Sequence, residues 1–322
     1  MTNPDEIKEV AIIGLGTMGA VIAQVFAQNG YRVKGYEAHD KALQTAQKVI
    51  QMNVRVLSQD ENAEIKSVEE ILANIQYAGS IAEAVECADI VIEAVNENKE
   101  IKEKVYRDID AGLPANSKIL SNTSTLNIFP LMCERRLEHT IIAHWFAPPH
   151  IIPLIEVVKG EQTSDETVAL TMALMEKLGK VPVLIEKYIP GFVINRILRI
   201  LGREAFFLIE EGVITPAQLD LAIKASIAPR MMVLGLMQRY DFTGLDLSAR
   251  NLQDKEFFDP PLDNEPEPLV SRVKKGDLGV KTGRGFYDYG DRKIEEILRE
   301  RDIHLSKVLK ETAFCYQKKR LV

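Results

Sequence analysis

The 322-residue sequence predicts an α/β protein, an N-terminal doubly wound and mostly parallel sheet followed by a smaller all-α domain. Three observations predict it. Short apolar runs alternate with charged helical stretches over the first half, the pattern of repeated β–α–β units. A glycine-rich turn, Gly14-Leu15-Gly16-Thr17-Met18-Gly19, joins the first apolar run to the first helix. Beyond Pro190-Gly191 the pattern is helical to the end. A chain of this length exceeds one usual core, so two domains are expected, 1–187 and 188–322.

Val10 to Ile13 is a continuous apolar run, as a strand buried on both faces requires. The glycines after it allow a tight turn, close approach of backbone to a pyrophosphate and close helix packing, and the N–H groups of the next helix favour the anion. Gly19, Ala23 and Ala27 put small residues on one face of that helix, and Asn29-Gly30 ends it. Tyr31 to Tyr36 is the second strand. It delivers Glu37, 23 residues after Gly14, where an acid accepts from the ribose hydroxyls of NAD and repels the 2′-phosphate of NADP. NAD is therefore the expected cofactor, in a Rossmann-type domain.

From His39 to Ile75 the pattern is two charged helices broken around residues 58–62. Ile75 to Ala78 and Asp89 to Ala94 are strands separated by a short helix, and a helix runs from Lys99 to Gly112. Ser117 to Ser121 is another strand. Polar clusters, Asn96-Glu97-Asn98 and Asn122-Thr123-Ser124-Thr125, follow two of these strands, at the carboxyl ends that line the ligand crevice of a doubly wound sheet.

Ile141 to Phe146 and Leu154 to Val158 flank a proline-rich connection that cannot be helical. Paired as an antiparallel hairpin centred on His150, they set His144 opposite Glu156, within hydrogen-bond reach. A His held by a carboxylate is the simplest general base near neutral pH. Val183 to Glu186 reads as the last strand, Phe192 to Glu211 as a long helix, Thr215-Pro216 as the capped start of the next, Phe258 to Pro268 as a surface loop, and Lys293 to Gln317 as a final helix.

A net charge of −7 without a basic face argues against a nucleic-acid partner, and no apolar segment follows the start, so neither leader nor membrane span is expected and the location expected is cytoplasmic. Cys87, Cys133 and Cys315 lack metal-ligand spacing, so no metal is expected.

Six stretches in order resemble the 3-hydroxyacyl-CoA dehydrogenase family over almost the whole chain. They are Gly14 to Gly19, Glu93 to Lys102, Ser121 to Ser124, His144 with Glu156, Pro190 to Arg196 (Pro-Gly-Phe-Val-Ile-Asn-Arg), and Gly279 to Tyr287 (Gly-Val-Lys-Thr-Gly-Arg-Gly-Phe-Tyr). The resemblance implies oxidation of an L-3-hydroxyacyl-CoA, of the 3-hydroxybutyryl type, to the 3-keto product with NAD. It implies His144 as base, Glu156 as its orienter, Ser124 and Asn195 on the substrate oxygen, and Glu97, Lys102 and Asn122 on the cofactor side with Gly14, Gly16, Thr17, Met18, Gly19 and Glu37. It also implies a homodimer through the C-terminal helices. From the residues alone, Ser124 is open to reading as the cap of a helix at Thr125, and Lys102 as a solvated lysine.

Two stretches depart from the acyl-CoA pattern. Ala147 stands where an Asn is usual, and Ala228-Pro-Arg-Met-Met-Val-Leu-Gly235 resembles relatives that oxidise free hydroxy acids such as gulonate or carnitine. Arg230 is then a candidate for a substrate carboxylate. A non-catalytic, crystallin-like binding protein is the third alternative, against which the joint presence of His144, Glu156, Ser124 and Asn195 speaks.

Overall fold

The computed structural model describes residues 3–57, 67–256 and 258–317. Contacts divide the chain into two units, Met1–Val193 and Ile194–Val322. The boundary read from sequence, 187/188, falls six residues earlier, because 188–193 stay attached to the first unit. There Tyr188 donates its hydroxyl to the Thr125 carbonyl and the Phe192 side chain is fully buried.

The first unit is an eight-stranded sheet. Its strands are β1 (Glu9–Ile13), β2 (Arg32–Tyr36), β3 (Ile75–Tyr77), β4 (Ile90–Glu93), β5 (Lys118–Ser121), β6 (Thr140–Trp145), β7 (Leu154–Val158) and β8 (Val181–Ile185). They lie in the order β3-β2-β1-β4-β5-β6-β7-β8, parallel from β3 to β6, with β7 antiparallel to β6 and β8 parallel to β7. The helices are α1 (Thr17–Gln28), α2 (Asp40–Leu57), α3 (Val68–Ala73), α4 (Ile81–Val85), α5 (Lys99–Gly112) and α6 (Asp165–Lys177). One apolar core lies between the sheet and α1, α2, α3 and α6, built on Phe26, Ile50, Trp145 and Leu174. The other lies on the opposite face with α4 and α5, built on Val85, Tyr106, Ile109 and Phe192. The break expected at 58–62 lies outside the described residues.

The strand order reverses between β1 and β4, and the glycine turn sits there. Gly14 has φ +92°, and a Cβ on it would lie 2.8 Å from the Ala94 carbonyl oxygen at the end of β4. A Cβ on Gly19 would lie 1.8 Å from the Gly14 carbonyl oxygen. These two glycines bring turn, helix and neighbouring strand together, while Gly30, at φ +88°, ends α1 as expected.

Strand β8 corrects one expectation. It begins at Val181, two residues before the start read from sequence, and contains Pro182. As the outermost strand, paired among the described residues with β7 alone, it tolerates a residue that cannot donate to a ladder.

The second unit is helical: α7 (Ile194–Glu210), α8 (Pro216–Ala222), a π-helical turn (Ile223–Ile227), α9 (Ala228–Thr243), α10 (Leu245–Gln253), α11 (Glu267–Lys275), α12 (Ile294–Thr312) and α13 (Phe314–Gln317). Thr215 caps α8, accepting from the Gln218 N–H with Pro216 in the first turn. The loop expected to reach Pro268 ends earlier, because Pro268 lies in the first turn of α11, where its missing N–H costs nothing. The single final helix is two, α12 and α13. Among the described residues no helix is long and apolar enough to cross a membrane.

Gly19→Ala is predicted to destabilise the first unit by about 3 kcal/mol, since the Gly14 carbonyl must move to admit a methyl group. Gly16→Ala, whose Cβ meets nothing within 4 Å, is predicted to leave stability unchanged. Chemical denaturation of both variants checks the contrast.

Candidate active site

The register of β6 and β7 pairs His144 with Glu156, as the hairpin reading expects. His144 Nδ1 lies 2.9 Å from Glu156 Oε2, and both side chains are buried. The second carboxylate oxygen, Oε1, accepts from the Val193 N–H at 3.0 Å. The imidazole packs against the rings of Phe146 and Phe192, with centroids 4.5 and 5.4 Å away. With Nδ1–H donating to the carboxylate, the lone pair on Nε2 is the one available to take a proton. Phe192 escaped the sequence reading. Its φ of +50° is unusual for a residue with a side chain, and its buried ring holds it there, against the imidazole.

The cofactor side is built on the glycine turn. Gly16 and Thr17 are exposed at the start of α1, and the space where a Gly16 Cβ would stand is open, so a pyrophosphate has room against the helix N–H groups. Glu37 follows β2, and its carboxylate accepts from Leu15 N–H at 2.9 Å and His39 N–H at 3.2 Å. It therefore fastens the turn as well as facing the crevice. A cavity of about 340 Å³ is lined by Gly14, Gly16, Glu37, Val95, Asn96 and Ile101 among others. Glycine turn, helix start and acid at the strand end together fit an NAD. Met18 is half-buried and packs on the core instead, so it contributes to the turn through its place in α1.

Lys102 lies within the first unit's buried polar network, and Glu97 stands at its exposed rim. Lys102 is 1% exposed, which overturns the reading of a solvated lysine. Its ammonium lies 2.6 Å from Glu93 Oε1 and 3.5 Å from Glu97 Oε2. Glu93 also accepts from the hydroxyls of Tyr106 and Ser121 and from the Val95 N–H. Burial, then the Glu93 charge, pushes the Tyr106 phenol well above its usual value, so it stays a donor. Glu97 Oε1 gathers the Thr123 hydroxyl and the N–H groups of Ser124, Thr125 and Leu126. Burial raises the Glu97 carboxyl, but the Thr123 hydrogen bond, the Lys102 charge and the backbone donors outweigh it, and the net shift is downward. Glu97 is thus the clasp of the loop that carries Ser124.

Ser124 is half-exposed on that loop, and no helix begins at Thr125, so the capping alternative falls. Asn122 accepts from the Trp145 N–H at 2.8 Å, linking the end of β5 to the residue after His144. In the second unit Asn195 lies in the first turn of α7. Gly191 precedes the helix at φ +77°. Arg230 is exposed in α9 and donates to the carbonyl and hydroxyl of Ser226 one turn earlier.

A doubly wound domain with a dinucleotide turn and a carboxylate-held histidine defines an NAD-dependent oxidoreductase. Comparison with known proteins narrows the class. The family model "3-hydroxyacyl-CoA dehydrogenase, NAD binding domain" matches residues 9–188, and "3-hydroxyacyl-CoA dehydrogenase, C-terminal domain" matches residues 191–289. The chain belongs to this family. It is 35% identical over 299 residues to the 5-formyl-3-hydroxy-2-methylpyridine 4-carboxylate 5-dehydrogenase of Mesorhizobium japonicum, covering 92% of this chain and 95% of that one. A solved structure of that kind of enzyme, an NAD+-dependent dismutase, superposes with TM-score 0.84 at 32% identity over 95% of this chain and 99% of that one. The (S)-3-hydroxybutyryl-CoA dehydrogenase of Ralstonia eutropha gives TM-score 0.70 at 33% identity, over 89% and 100%.

Lys102→Met leaves Glu93 charged and buried without its cation, and is predicted to cost about 3–5 kcal/mol in a denaturation curve. Because the Glu97 carboxyl is held below its ordinary value, the stability it contributes is present above about pH 4.5 and lost as pH falls through the lower folded value. Glu97→Gln should remove that acid-side component of an unfolding-versus-pH profile.

Proposed function

We propose that this protein oxidises the carbinol of a small, carboxylate-bearing substrate with NAD, using His144 as general base. The pairing of His144 Nδ1 with Glu156 Oε2 at 2.9 Å carries the reading. A hydroxyl group is oxidised only if its proton leaves as hydride departs from the carbon. Nε2 of His144 takes that proton, and Glu156 stabilises the imidazolium that forms. NAD supplies the hydride acceptor. Ser124, and from the helical unit Asn195, are the donors assigned to the substrate oxygen, where charge develops. Glu37 favours NAD over NADP through repulsion of a 2′-phosphate.

A free acid is favoured over a CoA thioester by three observations. The likeness to the pyridine-carboxylate dehydrogenase is greater in TM-score, 0.84 against 0.70. Ala147 replaces the Asn usual in acyl-CoA enzymes, and Arg230 offers a bidentate partner for a carboxylate. Oxidation of a 3-hydroxybutyryl-CoA-like thioester is the second reading, supported by family membership.

We further propose a homodimer built through the helical unit. Among the described residues of 194–317, only Pro266 and Pro268 are buried, while Ile200, Met237, Leu252 and Phe258 are exposed to 62%, 73%, 87% and 69%. A helical unit without a buried apolar core requires a partner surface.

NADH formation at 340 nm should appear with one of a panel of free acids (a hydroxymethylpyridine carboxylate, 3-hydroxybutyrate, gulonate, carnitine) and disappear in Arg230→Ala. Turnover of 3-hydroxybutyryl-CoA alone would move the assignment to the second reading. His144→Gln is predicted to lower kcat by about 10³-fold or more with NADH affinity intact; full activity would remove the base. Light scattering should return twice the chain mass, and a monomer would sink the dimer.

A further inference from the structure

One buried cation near the base has no role in the proton path just described. Lys180 follows Gly179 in the connection from α6 to β8, and is 9% exposed. Its ammonium donates to the carbonyl oxygens of Pro149 and, at 3.1 Å, Ile152. It also stands 5.3 Å from the centroid of the Trp145 ring. Among the described residues no carboxylate lies within ion-pair distance of it. The compensation for desolvating this charge comes from two carbonyl dipoles and an indole face.

The three groups it touches belong to one stretch. Trp145 is the residue after His144, and Pro149 and Ile152 lie in the connection that carries the chain from β6 to β7. The two strands contribute the base and its carboxylate, so the geometry of the connection fixes how His144 and Glu156 face one another. Successive strand residues point to opposite faces. Trp145 packs with Phe26 in the core beside α1 and α6, whereas His144 packs with Phe192 on the other face. Lys180 therefore touches the connection from the face opposite the imidazole.

We infer that Lys180 is a positioning residue for the His144–Glu156 pair, acting by tying the proline-rich connection between β6 and β7 to the start of the edge strand β8. The tie is specific in chemistry. Two carbonyls converging on one point ask for a donor with several hydrogens, and the aromatic face beside them asks for a cation. A hydrophobic side chain of the same length fills the volume and satisfies neither.

Titration gives a direct handle on the contact. Burial pulls the Lys180 ammonium from 10.5 down to about 8. The charged form is the disfavoured one, so it costs stability at pH below about 8, and that cost is relieved as pH rises toward 10.5. Titratable groups on the neighbouring elements are His144 on β6, Glu156 on β7, His150 in the connection, and Glu176 and Lys177 at the end of α6. Lys177 is held by Asp5 and stands over Tyr31. Trp145 is the single tryptophan of the chain, so its emission reports the ammonium beside it.

The test compares the unaltered protein with Lys180→Met, Lys180→Gln and Lys180→Arg. Lys180→Met should lose roughly 10- to 100-fold in kcat through displacement of the base, while NADH affinity and the thermal midpoint stay close to those of the parent. Lys180→Arg, which keeps charge and donors, should recover part of the loss. The Trp145 emission of the parent should change with a midpoint near pH 8, and that transition should be absent in Lys180→Met. A folded Lys180→Met with kcat within twofold of the parent overturns the proposal. So does failure of both Met and Gln variants to fold, which would make the role one of stability alone. The kinetic arm rests on the dehydrogenase reading. Absence of turnover by the parent on every substrate would sink that reading, and the emission titration would still decide the contact: a transition that persists in Lys180→Met overturns it.

Discussion

The hydrogen bond between His144 and Glu156 depends on one reversal in an otherwise parallel sheet. Six strands run the same way, and β7 turns back against β6, which is the only arrangement here that puts two residues twelve apart side by side. Burial then makes the pair effective. A carboxylate withdrawn from water must be satisfied, and Glu156 is satisfied twice, by the imidazole and by the Val193 N–H. The second contact ties the pair to the short segment that ends the first unit, where Phe192 supplies the aromatic wall.

The other end of the crevice follows a different logic. The glycine turn works through what it lacks: Gly14 and Gly19 let backbone touch backbone, and Gly16 leaves space beside a helix start. Glu37 and Glu97 each hold a loop by collecting backbone N–H groups, so the acids nearest the cofactor side also build the loops they stand on. Beneath them Glu93, Lys102, Tyr106 and Ser121 form a closed polar cluster in an apolar layer. Such a cluster is tolerated because each member has a partner, and it links β4, β5 and α5 at the carboxyl edge of the sheet.

Much of this was legible in the sequence. The glycine turn, the strand-end acid and the His–Glu register each depend on short-range spacing, and spacing survives folding unchanged. Lys102 and Lys180 were not legible for a common reason. A lysine in a charged helix reads as solvated, and burial is decided by the segments that pack on it: the strand ending in Glu93 for Lys102, Trp145 and Pro149 for Lys180. Phe192 carried a faint signal, since it follows a Pro-Gly pair, yet nothing in that spacing foretells a left-handed backbone against an imidazole.

By itself the sequence determined the class of protein: a dinucleotide domain, a histidine paired with its carboxylate and a helical second unit, because periodicity and local spacing specify elements and the turns between them. Only the tertiary structure decided which charges are buried and what they hold. Desolvation depends on which elements pack together, and it makes Lys102 and Lys180 internal fastenings on either face of the sheet.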